Sequence, residues 1–484
     1  MEFGLFSPGV TGGALVALYL VGALTAVDAV MNARTPQGAT AWVFALVAVP
    51  AAALPLYWLL GRFKFQDYLD ALRQLDSHVD DQLERPPHGP LARFLVKPDK
   101  DDGRQAGEMR AFSEMATLPF TRGNDVHLLV DGDATFEALF AALDAAETYV
   151  LTQFYIVRDD EIGKAYKQKL IAAAQRGVSV RFLYDGVGSW RLPRSYRREL
   201  EDAGVEVASF TGPRNWLKRL RLNFRNHRKT TVVDGRVAFV GGLNVGDEYL
   251  GHTDDYPHWR DTHLQVEGPV VQGLQLAFAR DWFYATREDL VHLAWKPTPA
   301  EADRTALVLA SGPADELETC GLLYTHAIES AEERVWIATP YFVPDGRVLG
   351  ALQLAALRGV DVRVLMPRKV DSVLFKYVPY AFLSDVERAG VKVFLYEPGF
   401  MHQKVALVDR DFAAVGTANF DNRSFRLNFE ATVVARDAET CDAVAAMLEH
   451  DIARATRITR GDLAEKSFAF RFAANATRLL APVL

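Results

Sequence analysis

The feature that most constrains this chain is a set of five positions that repeats at identical spacing in two halves. The pattern H-x-K-x4-D-x6-G-x-x-N begins at His227 and again at His402. In both copies the asparagine follows the histidine by 17 residues. A coincidence of this kind at five positions is improbable, so we interpret the halves as duplicated units with one chemistry. The members are His227, Lys229, Asp234, Gly241 and Asn244 in the first copy, and His402, Lys404, Asp409, Gly416 and Asn419 in the second.

Each half also contains a matching β-α-β pattern. The segments YVLTQFYIV and RGVSVRFLYDG of the first half correspond to VWIATPYFVPDG and RGVDVRVLMPR of the second. Strands rich in β-branched and aromatic residues flank a helical stretch in both, and the shared Arg-Gly pair is offset by 182 residues. We therefore predict an α/β fold of two similar α/β/α sandwich halves that pack as a pseudo-dimer.

The motif residues suit phosphodiester chemistry. Histidine and lysine two positions apart on a strand point to the same face, so two such edges can meet around one pocket. One imidazole can attack phosphorus while the other protonates the departing oxygen. Lysines and asparagines can stabilise the nonbridging oxygens. An ammonium group repels cations, which argues against a metal site, and we expect no cofactor.

The N-terminal region is apolar and predicts a transmembrane helical hairpin. Two stretches, residues 10–31 and 41–60, each approach the roughly 20 residues that a spanning helix needs. The first residues lack the basic region of a signal peptide, and a second apolar stretch follows, so a cleaved signal fits poorly. Pro50 and Pro55 suggest a bend in the second span.

Flanking charges predict the orientation of this hairpin. Arg62, Lys64 and Arg73 follow the second stretch, whereas the connecting loop contains only Arg34. The positive-inside rule then places both termini and the catalytic region on the cytoplasmic side of the inner membrane.

Composition excludes some classes of function and indicates one local basic surface. The net charge of −8 disfavours a nucleic-acid binder, and two cysteines, Cys320 and Cys441, make neither a disulfide framework nor a zinc site. Residues 214–229 nevertheless contain seven basic and no acidic residues. This segment is either a solvated basic helix face or a contact for anionic headgroups and membrane. The candidate binding residues are Arg214, Lys218, Arg219, Arg221 and Arg225.

The repeated motif resembles the H-K-D motifs of the phospholipase D superfamily. That resemblance implies an acidic residue downstream of each motif that orients its histidine. Glu430 follows His402 by 28 residues and is the candidate in the second half. Asp261 is the candidate for His227 in the first half, with Asp255 as the alternative at 28 residues. The resemblance also implies that the first histidine, His227, is the nucleophile and that His402 is the acid and base.

The order of segments is similar to that of bacterial cardiolipin synthases along nearly the whole chain. This resemblance implies a phosphatidyltransferase that joins two phosphatidylglycerols and releases glycerol, with phosphatidylethanolamine an alternative donor. A phospholipase D-type hydrolase or nuclease and an inactive membrane scaffold are the competing hypotheses, since the motifs do not distinguish water from an alcohol as acceptor. The predicted regions are a hairpin at 1–62, a linker at 63–117, a first domain at 118–298, and a second domain at 299–484 that ends in an interfacial tail.

Overall fold

The computed structural model describes residues 8–33, 36–61, 68–74, 89–97, 104–210, 224–290, 292–370 and 375–481. The chain divides into two units, one of residues 1–69 and 214–224 and the other of residues 70–213 and 225–484. Four residues of the predicted basic segment, Arg214, Lys218, Arg219 and Arg221, lie outside the described residues.

The N-terminal unit is helical. Its helices are Pro8–Asn32, Pro36–Ala48 and Pro50–Leu56, followed by the π-helical turn Tyr57–Gly61. Within the described part of the chain, only the segment Gly12–Asn32 is both long and apolar enough to cross a membrane.

The second apolar stretch departs from the predicted single bent span. Its helix ends at Ala48 and restarts at Pro50, because a proline disfavours helical geometry at the residue before it, here Val49, and itself has no N–H to donate. Both pieces pack on the first helix, and the Tyr57 hydroxyl donates a 2.7 Å hydrogen bond to Asp28. The two-span hairpin stays a prediction.

Among its described residues, the first half of the second unit contains nine strands. They are β1 (Thr121–Val130), β2 (Tyr149–Phe154), β3 (Ser179–Tyr184), β4 (Glu206–Ser209), β5 (Arg225–Asn226), β6 (Thr230–Val233), β7 (Val237–Gly241), β8 (Trp259–Arg260) and β9 (Thr262–Glu267). The helices of this region are 68–74, Ala92–Phe94, Arg104–Met115, Asp131–Asp144, Glu161–Gln175, Arg194–Asp202, Asp247–Leu250 and Val271–Thr286.

The second half repeats this arrangement. Its strands are β10 (Arg304–Ser311), β11 (Arg334–Ala338), β12 (Phe342–Val343), β13 (Asp361–Pro367), β14 (Lys392–Tyr396), β15 (Phe400–Met401), β16 (Val405–Val408), β17 (Phe412–Gly416), β18 (Phe420–Asp421), β19 (Asn428–Ala435) and β20 (Ala455–Ile458). Its helices are Thr319–Ser330, Gly346–Leu357, Val378–Ala381, Leu383–Glu387, Asn422–Arg426, Ala438–Ala453, Arg460–Ala464, Phe468–Thr477 and Arg478–Leu480.

A single large sheet runs through both halves. The order β1-β9-β7-β6-β2-β3-β4 of the first half is matched by β10-β19-β17-β16-β11-β13-β14 in the second, and β20 is added at that edge. The two series join where β1 pairs antiparallel with β10, with Thr121 opposite Ala306. The predicted duplicated α/β pseudo-dimer is confirmed.

Each half builds its own hydrophobic core under the helices that flank the sheet. The core of the first half includes Phe136, Tyr166 and Phe182, all nearly inaccessible to solvent. The core of the second half also recruits Phe112 from the segment predicted as a linker. That ring, on helix Arg104–Met115, lies 5.4 Å from the ring of Phe412.

Two short parallel pairings exchange segments between the halves. Strand β5, which precedes the first motif, pairs with β19 of the second half, and β15, which precedes the second motif, pairs with β8 of the first. The backbone N–H of His227 donates to the Phe429 carbonyl at 2.9 Å, and that of His402 to the Arg260 carbonyl at 2.7 Å. Each motif histidine therefore lies just before its strand, with its backbone N–H bonded to the other half of the protein.

The predicted interfacial tail forms the helix Phe468–Thr477. Its Phe470 ring packs on Tyr377 and Tyr380, at 5.0 and 5.2 Å between ring centroids. Phe468 and Phe472 are 75% and 65% exposed. One face thus packs on the domain while the other presents aromatic rings to the surroundings.

Deletion of residues 1–62 should weaken membrane attachment and leave a folded catalytic region. The buried cluster of the N-terminal unit, which includes Ala29, Leu46 and Tyr57, is self-contained, and the clusters of the second unit use no described residue before Leu72. Membrane flotation and a cooperative thermal transition in detergent measure the two properties. Failure of the truncated protein to fold in detergent would contradict this boundary.

Candidate active site

Both motif histidines line one cavity of about 360 Å³ in the second unit. The motif asparagines and the predicted binding residue Arg225 line it as well, so the structure brings five of the predicted site residues together. The lining residues are Tyr155, Ile156, Arg225, His227, Asn244, Tyr249, Trp259, Tyr341, Phe375, Phe400, His402, Asn419, Asp421, Arg423 and Asn428.

The carboxylate that holds His227 comes from the second half. The Nδ1 atom of His227 lies 3.0 and 2.9 Å from the two carboxylate oxygens of Glu430. Glu430 is fully buried, and it also accepts hydrogen bonds from the Thr417 and Ser424 hydroxyls and the Asn428 amide. This carboxylate fixes the imidazole with its Nε2 atom free to act.

The carboxylate that holds His402 comes from the first half. Nδ1 of His402 lies 2.9 Å from Asp261, whose other carboxylate oxygen accepts from the Thr262 N–H at 2.8 Å. The prediction that each half orients its own histidine is therefore wrong, although Asp261 and Glu430 are the right carboxylates. The exchanged pairings β5–β19 and β8–β15 are the cause, because each places a histidine beside the carboxylate-bearing strand of the other half. The alternative residue, Asp255, lies in a bend outside the cavity lining.

The residue that follows the motif glycine adapts each half to its carboxylate. A Cβ atom on Gly242 would lie 2.0 Å from the nearer oxygen of Asp261, so only glycine leaves room for that side chain. The equivalent residue of the second half, Thr417, donates its hydroxyl to Glu430 at 2.6 Å. Beside Glu430 there is thus space for the Thr417 side chain, which donates a hydrogen bond to the carboxylate. Asp261 lies so close to position 242 that no side chain fits there.

The motif lysines lie behind the histidines. Lys229 donates to the carbonyl of His227 at 2.7 Å, and Lys404 to that of His402 at 2.6 Å. Both are buried, and neither is among the residues that line the cavity in the described part of the chain. Burial, together with the Lys404 charge, lowers the pKa of Lys229 to about 7. Both lysine charges also act on the two imidazoles, because each lowers the pKa of His227 and of His402.

The motif aspartates, which the sequence predicts as catalytic, lie outside the lining of the cavity that contains the histidines. Asp234 accepts from the backbone N–H groups of Glu147, Thr148 and Tyr149 and from the Thr148 hydroxyl, at 2.6 to 2.9 Å. Asp409 likewise accepts from the N–H groups of three consecutive residues, 332 to 334. Both aspartates have positive φ angles, +53° and +49°, at the turn after the motif strand. They fasten this turn to the neighbouring strand and lie outside the cavity lining.

The remaining predicted residues, and several missed ones, form the walls. The side-chain oxygen of Asn244 accepts from the Ile156 N–H at 3.0 Å, and Arg225 lines the cavity two residues before His227. Sequence analysis missed Tyr155, whose ring lies 5.0 Å from that of His227. In the repeated segment Tyr155 corresponds to Tyr341 of the second half, which also lines the cavity. This correspondence could have identified both tyrosines from the sequence.

Burial and charge together set the protonation of the two histidines. Burial, reinforced by both lysines, lowers the pKa of His227 to about 4 and that of His402 well below its ordinary value. Burial raises the pKa of Asp261, whereas at Glu430 the contacts with His227, Lys229 and Thr417 outweigh burial and lower the pKa. Both imidazoles are therefore neutral at neutral pH, and an anion bound between them would favour protonation of one ring.

Asp234→Asn should lower stability more than catalysis. Asparagine tolerates the positive φ angle. It offers one acceptor oxygen to donors that share two carboxylate oxygens in the wild type, so the free energy of unfolding should fall by about 1–3 kcal/mol. We expect a lower Tm and near-normal turnover per folded molecule, measured by thermal unfolding and titrated active sites. An unchanged Tm with a turnover reduced by orders of magnitude would restore Asp234 to the catalytic group.

Acidification from pH 6.5 to 4 should destabilise the folded protein. The folded-state pKa of His227 lies below the ordinary value near 6.5, so the unfolded chain binds a proton at a higher pH than the folded protein does. The free energy of unfolding therefore decreases as the pH is lowered through this window. His227→Asn removes the group that takes up this proton. The slope of the free energy of unfolding against pH should therefore decrease by up to roughly 1.4 kcal/mol per pH unit within that window. Unfolding measured at a series of pH values checks this, and equal slopes for variant and wild type would contradict it.

Comparison with known proteins relates this geometry to a family. A family model described as "Cardiolipin synthase, PLD-like domain" matches residues 139–282 and 324–452, one match in each half. The chain is 43% identical to Cardiolipin synthase A of Pseudomonas putida over 490 residues, covering 100% of both chains. It is also 43% identical to Cardiolipin synthase A of Pseudomonas fluorescens over 485 residues, covering 99% of each.

A solved structure supports the fold alone. The crystal structure of phosphatidylserine synthase from Haemophilus influenzae matches with a TM-score of 0.57 at 14% identity, covering 78% of this chain and 100% of that one. The repeated motif, the cavity that both histidines line and the full-length relatives all indicate the same family. The chain belongs to the cardiolipin synthase family of proteins with phospholipase D-like domains.

Proposed function

We propose that this member of the cardiolipin synthase family transfers a phosphatidyl group from one phosphatidylglycerol to a hydroxyl of another, and releases glycerol. The observation that carries the proposal is that His227 and His402, each held at Nδ1 by a buried carboxylate, line the same cavity. One nucleophile and one proton carrier are what a two-step exchange of alcohols at phosphorus needs.

In the first step, Nε2 of His227 attacks the phosphorus atom of the donor. The P–N bond forms as the bond from phosphorus to the glycerol oxygen breaks, and that oxygen takes a proton from His402. The ionised Glu430 stabilises the positive ring of the phosphatidyl-histidine, because it already accepts from Nδ1.

In the second step, the hydroxyl of the acceptor gives its proton to His402 and its oxygen bonds to phosphorus as the P–N bond breaks. Leaving and entering alcohols occupy the same position, so one residue serves both proton transfers. Two in-line displacements retain the configuration at phosphorus.

The phosphodiester anion itself prepares the proton carrier. Burial, together with Lys404 and Lys229, depresses the pKa of His402, and a negative phosphate between the two rings offsets the repulsion from the lysines. Protonation of His402 is thereby coupled to binding of the donor. Asn244 and Asn419 lie on the cavity wall, where their amide groups can bind the nonbridging oxygens.

We place the enzyme in the inner membrane, with the N-terminal helices as a multi-pass anchor and the catalytic unit on the cytoplasmic side. The apolar segment Gly12–Asn32 and the basic residues Arg62, Lys64 and Arg73 of the sequence support this placement. The exposed Phe468 and Phe472 of the tail helix suit a second contact with the bilayer interface.

Purified protein in detergent should convert labelled phosphatidylglycerol to cardiolipin with one glycerol released per cardiolipin. Separation of the lipid products distinguishes this outcome from hydrolysis. Phosphatidic acid as the sole labelled product would contradict transfer and favour the hydrolase.

Replacement of either catalytic histidine by alanine should lower the rate by several orders of magnitude, because each removes a whole step. Rapid quenching of the wild-type reaction should trap labelled phosphatidyl-His227, identified by peptide mapping. His252→Ala, at an exposed histidine, is the matched control and should retain activity. Label on His402 would reverse the assignment of roles.

A further inference from the structure

The two walls of the catalytic cavity break the symmetry of the duplication. Two residues before the motif histidine, the first half has Arg225 where the second has Phe400, and both line the cavity. Four residues after the motif asparagine, the second half has Arg423 where the first has Glu248. Arg423 lines the cavity, whereas Glu248 is paired with Arg158 at 3.0 Å and does not.

These departures bring both arginines to one wall. Strand β5, which begins at Arg225, pairs with the start of β19, and Arg225 lies opposite Asn428. The short helix that contains Arg423, Asn422–Arg426, leads directly into the same strand. Phe400, the counterpart of Arg225, instead packs its ring 4.6 Å from that of Trp259, which also lines the cavity.

Charge interactions tie the two guanidinium groups to the reacting centre. Tyr155 interacts electrostatically with both arginines, and its ring lies 5.0 Å from the ring of His227. Burial lowers the pKa of Arg225, and Asp185 opposes this shift. Asp185 itself accepts from the backbone N–H groups of Val187, Gly188 and Asn226 at 2.9 to 3.0 Å, so it is a fixed support for that wall.

Buried amide oxygens lie on the same cavity surface. Asn419 and Asn428 are 5% and 4% exposed and line the cavity. Among the described residues, the side-chain oxygen of each has no hydrogen-bond partner. A buried acceptor without a donor is costly, and a ligand hydroxyl is the donor that would satisfy it. Guanidinium groups and amide oxygens together are complementary to a phosphate that carries a hydroxylated glycerol.

We propose that Arg225 and Arg423 bind the phosphate of the acceptor phosphatidylglycerol, with Asn428 accepting from its glycerol hydroxyl. This inference rests on the proposed function. Transfer to a second phospholipid requires a second phosphate within the span of one glycerol unit from the reacting phosphorus, whereas hydrolysis requires none. The subsite therefore makes a phospholipid acceptor preferred over water or free glycerol.

The test separates the two half-reactions. Incorporation of labelled free glycerol into phosphatidylglycerol needs the donor site and the covalent step, but its acceptor carries no phosphate. In Arg423→Gln we expect cardiolipin formation to fall about 10- to 100-fold, as for loss of a charge-assisted contact, while glycerol exchange stays within about twofold of wild type. Arg423→Lys should restore part of the rate, because it keeps the charge without the planar fork.

Matched variants complete the design. Arg225→Gln should show the same split, and Arg410→Gln, which removes an exposed arginine paired with Asp442, should show neither effect. A parallel loss of both reactions in Arg423→Gln and Arg225→Gln, with folded protein by thermal unfolding, would assign the arginines to the donor and overturn the proposal. Retention of both reactions would also overturn it. A wild type that releases only phosphatidic acid would instead contradict the proposed function.

Discussion

The crossed pairing of imidazole and carboxylate is the interaction on which this active site depends. His227 and Glu430, and likewise His402 and Asp261, are buried partners drawn from different halves of the chain. A buried carboxylate without its partner is strongly unfavourable. Neither half can therefore complete its own catalytic dyad, and the two halves must assemble before either histidine is oriented. The strand pairs β5–β19 and β8–β15 also join one half to the other, through backbone hydrogen bonds, and so likewise require the two halves to assemble.

Duplication gives the site its symmetry, and departures from duplication give it direction. The histidines, lysines and asparagines match between halves, and so do the aspartates that fasten the turns. The supports differ: Glu430 accepts from three side chains besides His227, whereas the room for Asp261 depends on Gly242. The larger number of donors to Glu430 is consistent with the role proposed for His227, whose ring carries positive charge in the proposed covalent intermediate. A symmetric framework thus accommodates two unequal roles.

Periodicity and spacing were sufficient to predict the duplicated α/β fold and the meeting of the two histidines, because both follow from residue order along single strands. Periodicity and spacing could not predict which histidine pairs with Glu430 and which with Asp261. The exchange of short strands between the halves does not alter the spacing of residues in the sequence. The hydrogen-bond partners of Asp234 could not be predicted for a related reason. A motif position specifies a turn, but whether its carboxylate faces a cavity or a neighbouring backbone depends on tertiary packing. Pro50 signalled a bend, and the helix break at Val49 is the stronger form of that effect.

A double-mutant cycle on the buried dyads tests the central claim most directly. Glu430→Gln combined with His227→Asn, and separately with His402→Asn, gives two coupling energies from the free energy of unfolding. The crossed arrangement predicts a coupling of about 1–3 kcal/mol between Glu430 and His227, and near zero between Glu430 and His402. Strong coupling of Glu430 to His402, with little to His227, would contradict the exchange between halves and the active site built on it.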